Sequence, residues 1–178
     1  MKALLVIDVQ KGIVDTRDFN LELSVMKQII QDFKASQLPI ICLKHIDNSE
    51  GSLLHNDSEG SELHEAIKNC ADLVIEKQTP SAFFNTDLSI HLQRLDIDHL
   101  FLIGFETEFC CMFTAISAYD RGYSVTFLQE AIGTTNTDDS YQMPGIDIDR
   151  FVSNILLWSN VIEVIDHRQY LEKYKAAL

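Results

Sequence analysis

Basic residues are scarce in this chain: 14 Lys and Arg stand against 27 Asp and Glu, a formal net charge of −13 over 178 residues. Such a surface repels nucleic-acid phosphates and anionic lipid headgroups, so neither nucleic acid nor membrane is an expected partner. Long apolar runs are also missing. The N-terminal run, Ala3 to Ile7, is broken by Asp8 and is too short for a signal-peptide core. No segment approaches the ~20 residues of a membrane span. The four cysteines, Cys42, Cys70, Cys110 and Cys111, form no C-x-x-C pair and no zinc-ligand pattern. That usage fits a reducing, cytoplasmic setting. No internal repeat, linker or low-complexity tract divides the chain, and its length suits one domain over residues 1–178. The acidic balance leaves the substrate open, because a local field can oppose the global sign.

What is present is an alternation of two periods. Ala3–Ile7 reads as a strand buried on both faces, and Val25, Met26, Ile29, Ile30 and Phe33 then fall at helical spacing over about residues 21–36. Further strands are expected at residues 39–43, 73–75, 100–103, 124–128 and 161–165. Residues 45–62 and 132–145 read as long loops. Thr86 or Asp87 is placed to cap a helix carrying Leu88, Leu92 and Leu95. The helix after residue 107 is expected to bury Phe109, Met112, Phe113 and Ile116 and to stop at Gly122. Two more helices follow, one with Phe151, Val152, Ile155 and Leu156, the other with Tyr170, Leu171 and Tyr174. Uniformly apolar strands alternating with helices imply an α/β fold, a mainly parallel, doubly wound six-stranded sheet covered on both faces. In such sheets ligands bind beyond the carboxyl ends of the strands.

Reactive residues lie at those ends. Asp8 ends the first strand, with polar Gln10 beside it. His45 and Asp47 follow the second; with His55 they could hold a metal, though a polar loop is the better reading because no second matching pair exists. His45 could also hydrogen-bond a substrate. Lys77 follows the third strand. Cys110 follows the fourth, in the first turn of a helix, where free N–H groups and the helix dipole lower a thiol pKa. Cys42, Cys70 and Cys111 read instead as small buried hydrophobes. Phe19, Phe83, Phe84 and Tyr141 are candidate pocket walls, and Lys44 or Arg17 could bind a carboxylate substrate.

Together these features resemble the isochorismatase-like cysteine hydrolases. The opening segment Ala3-Leu4-Leu5-Val6-Ile7-Asp8-Val9-Gln10, the lysine segment Glu76-Lys77-Gln78-Thr79-Pro80-Ser81-Ala82-Phe83, and Gly104-Phe105-Glu106-Thr107-Glu108-Phe109-Cys110 carry the likeness, as does Ala118-Tyr119-Asp120-Arg121-Gly122-Tyr123. The resemblance implies a three-layer αβα sandwich with strand order 3-2-1-4-5-6 and an Asp8–Lys77–Cys110 triad. It implies a cis peptide between Phe105 and Glu106, and an oxyanion hole from the N–H groups of Glu106 and Cys110. On strand spacing Lys77 begins ~10 Å from Asp8, so its stem must span most of that gap. The implied activity is metal-independent hydrolysis of a small-molecule amide or related C–N bond through a thioester, with no cofactor. The Asp-x-His metal site of the family's nicotinamidases is not matched, since His45-Ile46-Asp47 runs in the reverse order. Two other classes stay open: a thiol redox or stress-responsive protein, and a catalytically silent binding module. A homo-oligomer is expected, with the tail helix and Trp158 at the contact.

Overall fold

The computed structural model describes residues 1–176. Six strands form one sheet in the order β3-β2-β1-β4-β5-β6. They are β1 (Lys2–Ile7), β2 (Ile40–His45), β3 (Leu73–Lys77), β4 (His99–Phe105), β5 (Ser124–Gly133) and β6 (Glu163–Ile165). All pairings are parallel. The helices are α1 (Lys11–Val14), α2 (Asn20–Ala35), α3 (Leu88–Arg94), α4 (Met112–Tyr119), α5 (Ile148–Trp158) and α6 (His167–Lys173). The short α1 has no counterpart in the sequence reading.

Alternation along β1 explains the three layers. Ala3, Leu5 and Ile7 feed one core, which α3, α4 and α5 cover. Leu4 and Val6 feed the other, which α2 and α6 cover. Successive side chains of a strand point to opposite faces, so a continuous apolar run is what a doubly covered strand requires. The centre of the sheet is tight. Gly104 on β4 has φ +125°, and a Cβ there would stand 2.0 Å from the Ile7 carbonyl oxygen, so only glycine fits.

Four expectations are corrected. Lys77 is the last residue of β3 rather than the residue after it, and β5 runs on to Gly133. β6 is shorter than the expected 161–165. The fourth correction concerns α4. Phe109, Phe113 and Ile116 are exposed and Met112 is only partly buried, while Cys110, Cys111, Thr114, Ala115 and Ala118 face inward. Helix α4 is entered through a π-helical turn, Thr107–Cys111, in which the Cys111 N–H donates to the Glu106 carbonyl. A π turn carries one more residue than an α turn and shifts the phase of the buried face. A helix seated closely on a sheet also needs small inward residues, whatever the hydrophobicity of the larger ones.

Candidate active site

Three strand ends bring the site together. Asp8 follows β1 with φ +50°, a left-handed conformation that Asp tolerates better than most residues. Lys77 closes β3. Cys110 lies in the π turn after β4, and the Phe105–Glu106 peptide just before that turn is cis. The Lys77 ammonium donates to Asp8 Oδ2 at 2.6 Å and to Cys110 Sγ at 3.1 Å. It also contacts His45 Nδ1 and the Thr79 carbonyl, each at 3.2 Å. The gap that strand spacing sets between Lys77 and Asp8 is therefore fully bridged. The Lys77 and Asp8 side chains are 0% and 1% exposed, so this is a buried ion pair.

The electrostatics correct one expectation. Burial pushes the Cys110 thiol up to about 12; the Asp8 charge adds to that rise, and Lys77 opposes it. The resting sulfur is a thiol rather than a standing thiolate. Burial alone would lower Lys77, but Asp8 and Cys110 outweigh it and the net shift is upward. Asp8 Oδ1 has no hydrogen-bond partner among the described residues. With Oδ2 held by Lys77, Oδ1 is the atom left to accept a proton.

An ammonium can only donate, and its three protons face four acceptors, of which His45 Nδ1 is one. Burial, then the Lys77 charge, holds His45 below its usual range, in keeping with a neutral ring. Gln10 fixes this segment from behind. Its Oε1 accepts from the His45 N–H, and its Nε2 donates to the carbonyls of His45 and Ser61. No local pattern marks Gln10 for that part, because both partners are backbone groups far along the chain.

A cavity of about 430 Å³ opens onto Cys110. Asp8, His45, Glu106 and Cys110 line it, with Gly12, Ile13, Leu53, Leu54, Pro80, Phe109 and Thr135 among the rest of the wall. The expected aromatic walls are elsewhere. Phe19 packs edge-on against Phe105 in the core, and Phe83 stacks on Tyr123. Phe84 borders a separate cavity on the far side of Lys77. Tyr141 donates its hydroxyl to Glu108. The apolar contacts that fix these rings, and the acidic partner of Tyr141, are tertiary and leave no local pattern.

Glu106 and Glu108 tie the segment after β5 to the π turn that carries Cys110. Glu106 accepts from the Thr134 and Thr135 hydroxyls and the Thr135 N–H. Glu108 Oε1 accepts from Asn136 Nδ2 and Tyr141 and contacts Thr134 Oγ1 at 3.0 Å. Burial pushes Glu106 upward, and its hydrogen bonds from Thr134 and Thr135 oppose that rise. Glu108, Thr134 and Asn136 carry no local signal in the sequence that marks them for this part.

His45, Asp47 and His55 do not converge. Asp47 accepts from the Ser49 N–H, and His55 Nδ1 from that of Asp57. Among the described residues, the one group of three or more ligand-type atoms within 4.8 Å of one another is Asp8, His45 and Cys110. The Lys77 ammonium touches all three residues and supplies positive charge at their centre.

The family model of the isochorismatase domain matches residues 2–147. The chain belongs to the isochorismatase family of hydrolases. The isochorismatase family protein YddQ of Bacillus subtilis is 31% identical over 142 residues, covering 75% of this chain and 78% of its own. The crystal structure of a nicotinamidase from Staphylococcus aureus superposes with TM-score 0.72 at 26% identity, covering 92% of this chain and 96% of that one. That of an N-carbamoylsarcosine amidase from Thermoplasma acidophilum superposes with TM-score 0.78 over 93% and 96%; at 24% identity it speaks for the fold alone. Within the family, the strand order and the parallel sheet of this chain are the shared frame.

Proposed function

We propose that this isochorismatase-family hydrolase cleaves the amide, or a related C–N bond, of an uncharged small molecule through a thioester on Cys110. The observation that carries the reading is the Lys77 ammonium lying within hydrogen-bonding distance of both the Asp8 carboxylate and the Cys110 sulfur. The nicotinamidase likeness supports amide chemistry.

As substrate enters, the Cys110 proton passes to Asp8 Oδ1 and the sulfur attacks the carbonyl carbon. The backbone N–H groups of Glu106 and Cys110 hold the oxyanion, each worth roughly 3 kcal/mol. Collapse of the tetrahedral species breaks the C–N bond, and Asp8 returns the proton to the leaving amine. Water, deprotonated by Asp8, then cleaves the thioester and restores the thiol. Lys77 keeps the carboxylate in place and balances the charge that passes between oxygen and sulfur.

An uncharged substrate follows from where the cations are. Lys44 pairs with Glu76, and Arg17 donates to the Thr134 and Asn136 carbonyls. The charged side chains that line the cavity, Asp8 and Glu106, are carboxylates.

The test is a panel of neutral primary amides and carbamoyl compounds, with carboxylated analogues alongside. Ammonia release and acid-trapped protein mass are the readouts. The expected result is ammonia from a neutral member and an acyl adduct on Cys110, both lost in Cys110→Ala. A peroxide-induced disulfide at Cys110 with no ammonia from any member would overturn the proposal in favour of a redox role.

A further inference from the structure

Cys42 and Cys70 have no part in the proposed hydrolysis, yet their side chains touch. The two sulfurs stand 3.8 Å apart across 28 residues of chain. Both are free thiols, and they lie in the core on the sheet face opposite Cys110. The backbone on either side is fixed. β2 and β3 run in register from Ile41 against Leu73 and Cys42 against Val74. Just before that register the Asp72 N–H donates to the Ile40 carbonyl, and Asp72 Oδ2 accepts from the Ile40 N–H. The Cys70 N–H donates to the Ile67 carbonyl. A disulfide needs its sulfurs about 2.05 Å apart, which leaves ~1.8 Å of travel. Rotation of the two side chains about their Cα–Cβ bonds covers that distance without moving the backbone.

Two buried thiols can also pack as small hydrophobes. The pair differs from that case in being unequal. Cys42 is 0% exposed, whereas Cys70 is 6% exposed and follows Asn69, whose carbonyl accepts from the Lys34 ammonium at 2.7 Å. The Cys42 contact lowers the Cys70 thiol against burial, with Lys34 assisting and Asp72 opposing. Cys42 is pushed the other way, by the Cys70 contact first and then by burial. One sulfur is thus suited to meet an oxidant and the other to resolve the product.

We propose that Cys42 and Cys70 form an oxidation site, a latent disulfide that closes in the folded chain when a small hydroperoxide such as hydrogen peroxide reaches Cys70. The Cys70 sulfur, as thiolate, attacks one peroxide oxygen and the O–O bond breaks. The hydroxide released takes up the thiol proton and leaves as water. The Cys42 sulfur then attacks the Cys70 sulfenic sulfur, the S–O bond breaks, and a second water departs with the Cys42 proton. The two thiols lose two electrons and the peroxide gains them. The link ties β2 to the segment that leads into β3. It therefore clamps both ends of residues 45–62, whose Ser52, Leu53 and Leu54 line the catalytic cavity. The site requires neither Cys110 nor the hydrolase reading.

Trypsin separates the thiols. Cleavage after Lys34, Lys44, Lys68 and Lys77 places Cys42 on peptide 35–44 and Cys70 on peptide 69–77, while Cys110 and Cys111 share peptide 95–121. The experiment treats the folded chain with hydrogen peroxide, blocks the remaining thiols with iodoacetamide in denaturant, and reads the non-reduced digest by mass. The expected result is peptide 35–44 joined to peptide 69–77, in the parent and equally in Cys110→Ala. The unfolding midpoint should rise by about 5–10 °C and return on treatment with dithiothreitol. Cys42→Ser and Cys70→Ser should each abolish the joined peptide and the rise; if either fails to fold, the digest of the parent decides alone. Recovery of both peptides unjoined, with Cys42 and Cys70 alkylated, overturns the proposal. So does a link from Cys70 to peptide 95–121, or one that forms only after the chain is unfolded.

Discussion

Two thiol sites sit on opposite faces of the sheet, and their contrast is instructive. Cys42 on β2 and Cys70 lie 3.8 Å apart, sulfur to sulfur, in the core that α2 covers. The Cys70 contact and burial hold the Cys42 thiol far above the ordinary range. Cys110, in the core on the other face, is also pushed up, by burial first. Resting ionisation therefore does not separate a structural cysteine from a candidate nucleophile here. What separates them is a carboxylate oxygen with room for a proton, an ammonium at 3.1 Å, and a cavity. On the proposed mechanism, the reactivity of Cys110 depends on a waiting acceptor and on access rather than on a preformed anion.

The sharpest way to break that contrast is Lys77→Met. It removes the ammonium and leaves the Asp8 carboxylate buried without a partner, so about 3–5 kcal/mol of stability should be lost. Hydrolysis should fall by ~10³-fold or more in the same variant. Denaturant titration and turnover on the best amide of the panel check both. Survival of activity would mean that the lysine is only structural.

Alkylation by iodoacetamide sharpens the contrast without a substrate. A thiol that titrates at about 12 gains thiolate tenfold per pH unit throughout the range below it. The Cys110 rate should therefore climb about 100-fold from pH 7 to pH 9 with no plateau. Cys42 and Cys70 should remain unlabelled until the chain is unfolded. A plateau near neutrality, read by peptide mass, would restore the standing thiolate that the helix-dipole reading of the sequence expects.

Cys42→Ala is the mildest perturbation. Loss of one buried sulfur should cost about 1–2 kcal/mol by thermal or denaturant unfolding, with kcat/KM within about twofold of the parent. A larger catalytic effect would connect the two faces and undo the distinction between them.

Much of the frame is legible in the sequence, and the reasons are local. A strand buried on both faces must be apolar throughout, so β1 and β4 announce themselves by composition. A polar residue that ends such a strand is forced to the rim, which singles out Asp8. The orientation of α4 is not legible. Its first turn is a π turn, and its inward face is built from Cys, Thr and Ala while Phe113 and Ile116 point outward. Periodicity assigns the largest side chains inward; close seating on a sheet reverses that. The pocket walls escaped for a related reason. Leu53, Leu54 and Gly12 reach the cavity only because Gln10 and the Gly60 turn fold residues 45–62 over the rim. A Cβ on Gly60 would stand 2.2 Å from the Leu53 carbonyl oxygen. Such closure over long separations has no period to detect.

β3 is an edge strand, with β2 as its one neighbour in the sheet. Lys77 terminates it, yet grips residues that follow the two central strands, 69 and 33 positions away in the chain. The lysine is thus a bolt that pins the open margin of the sheet to its middle. On the proposed mechanism chemistry and edge protection share one side chain, so a descendant that discarded this lysine would also have to find another fastening for the strand that carries it.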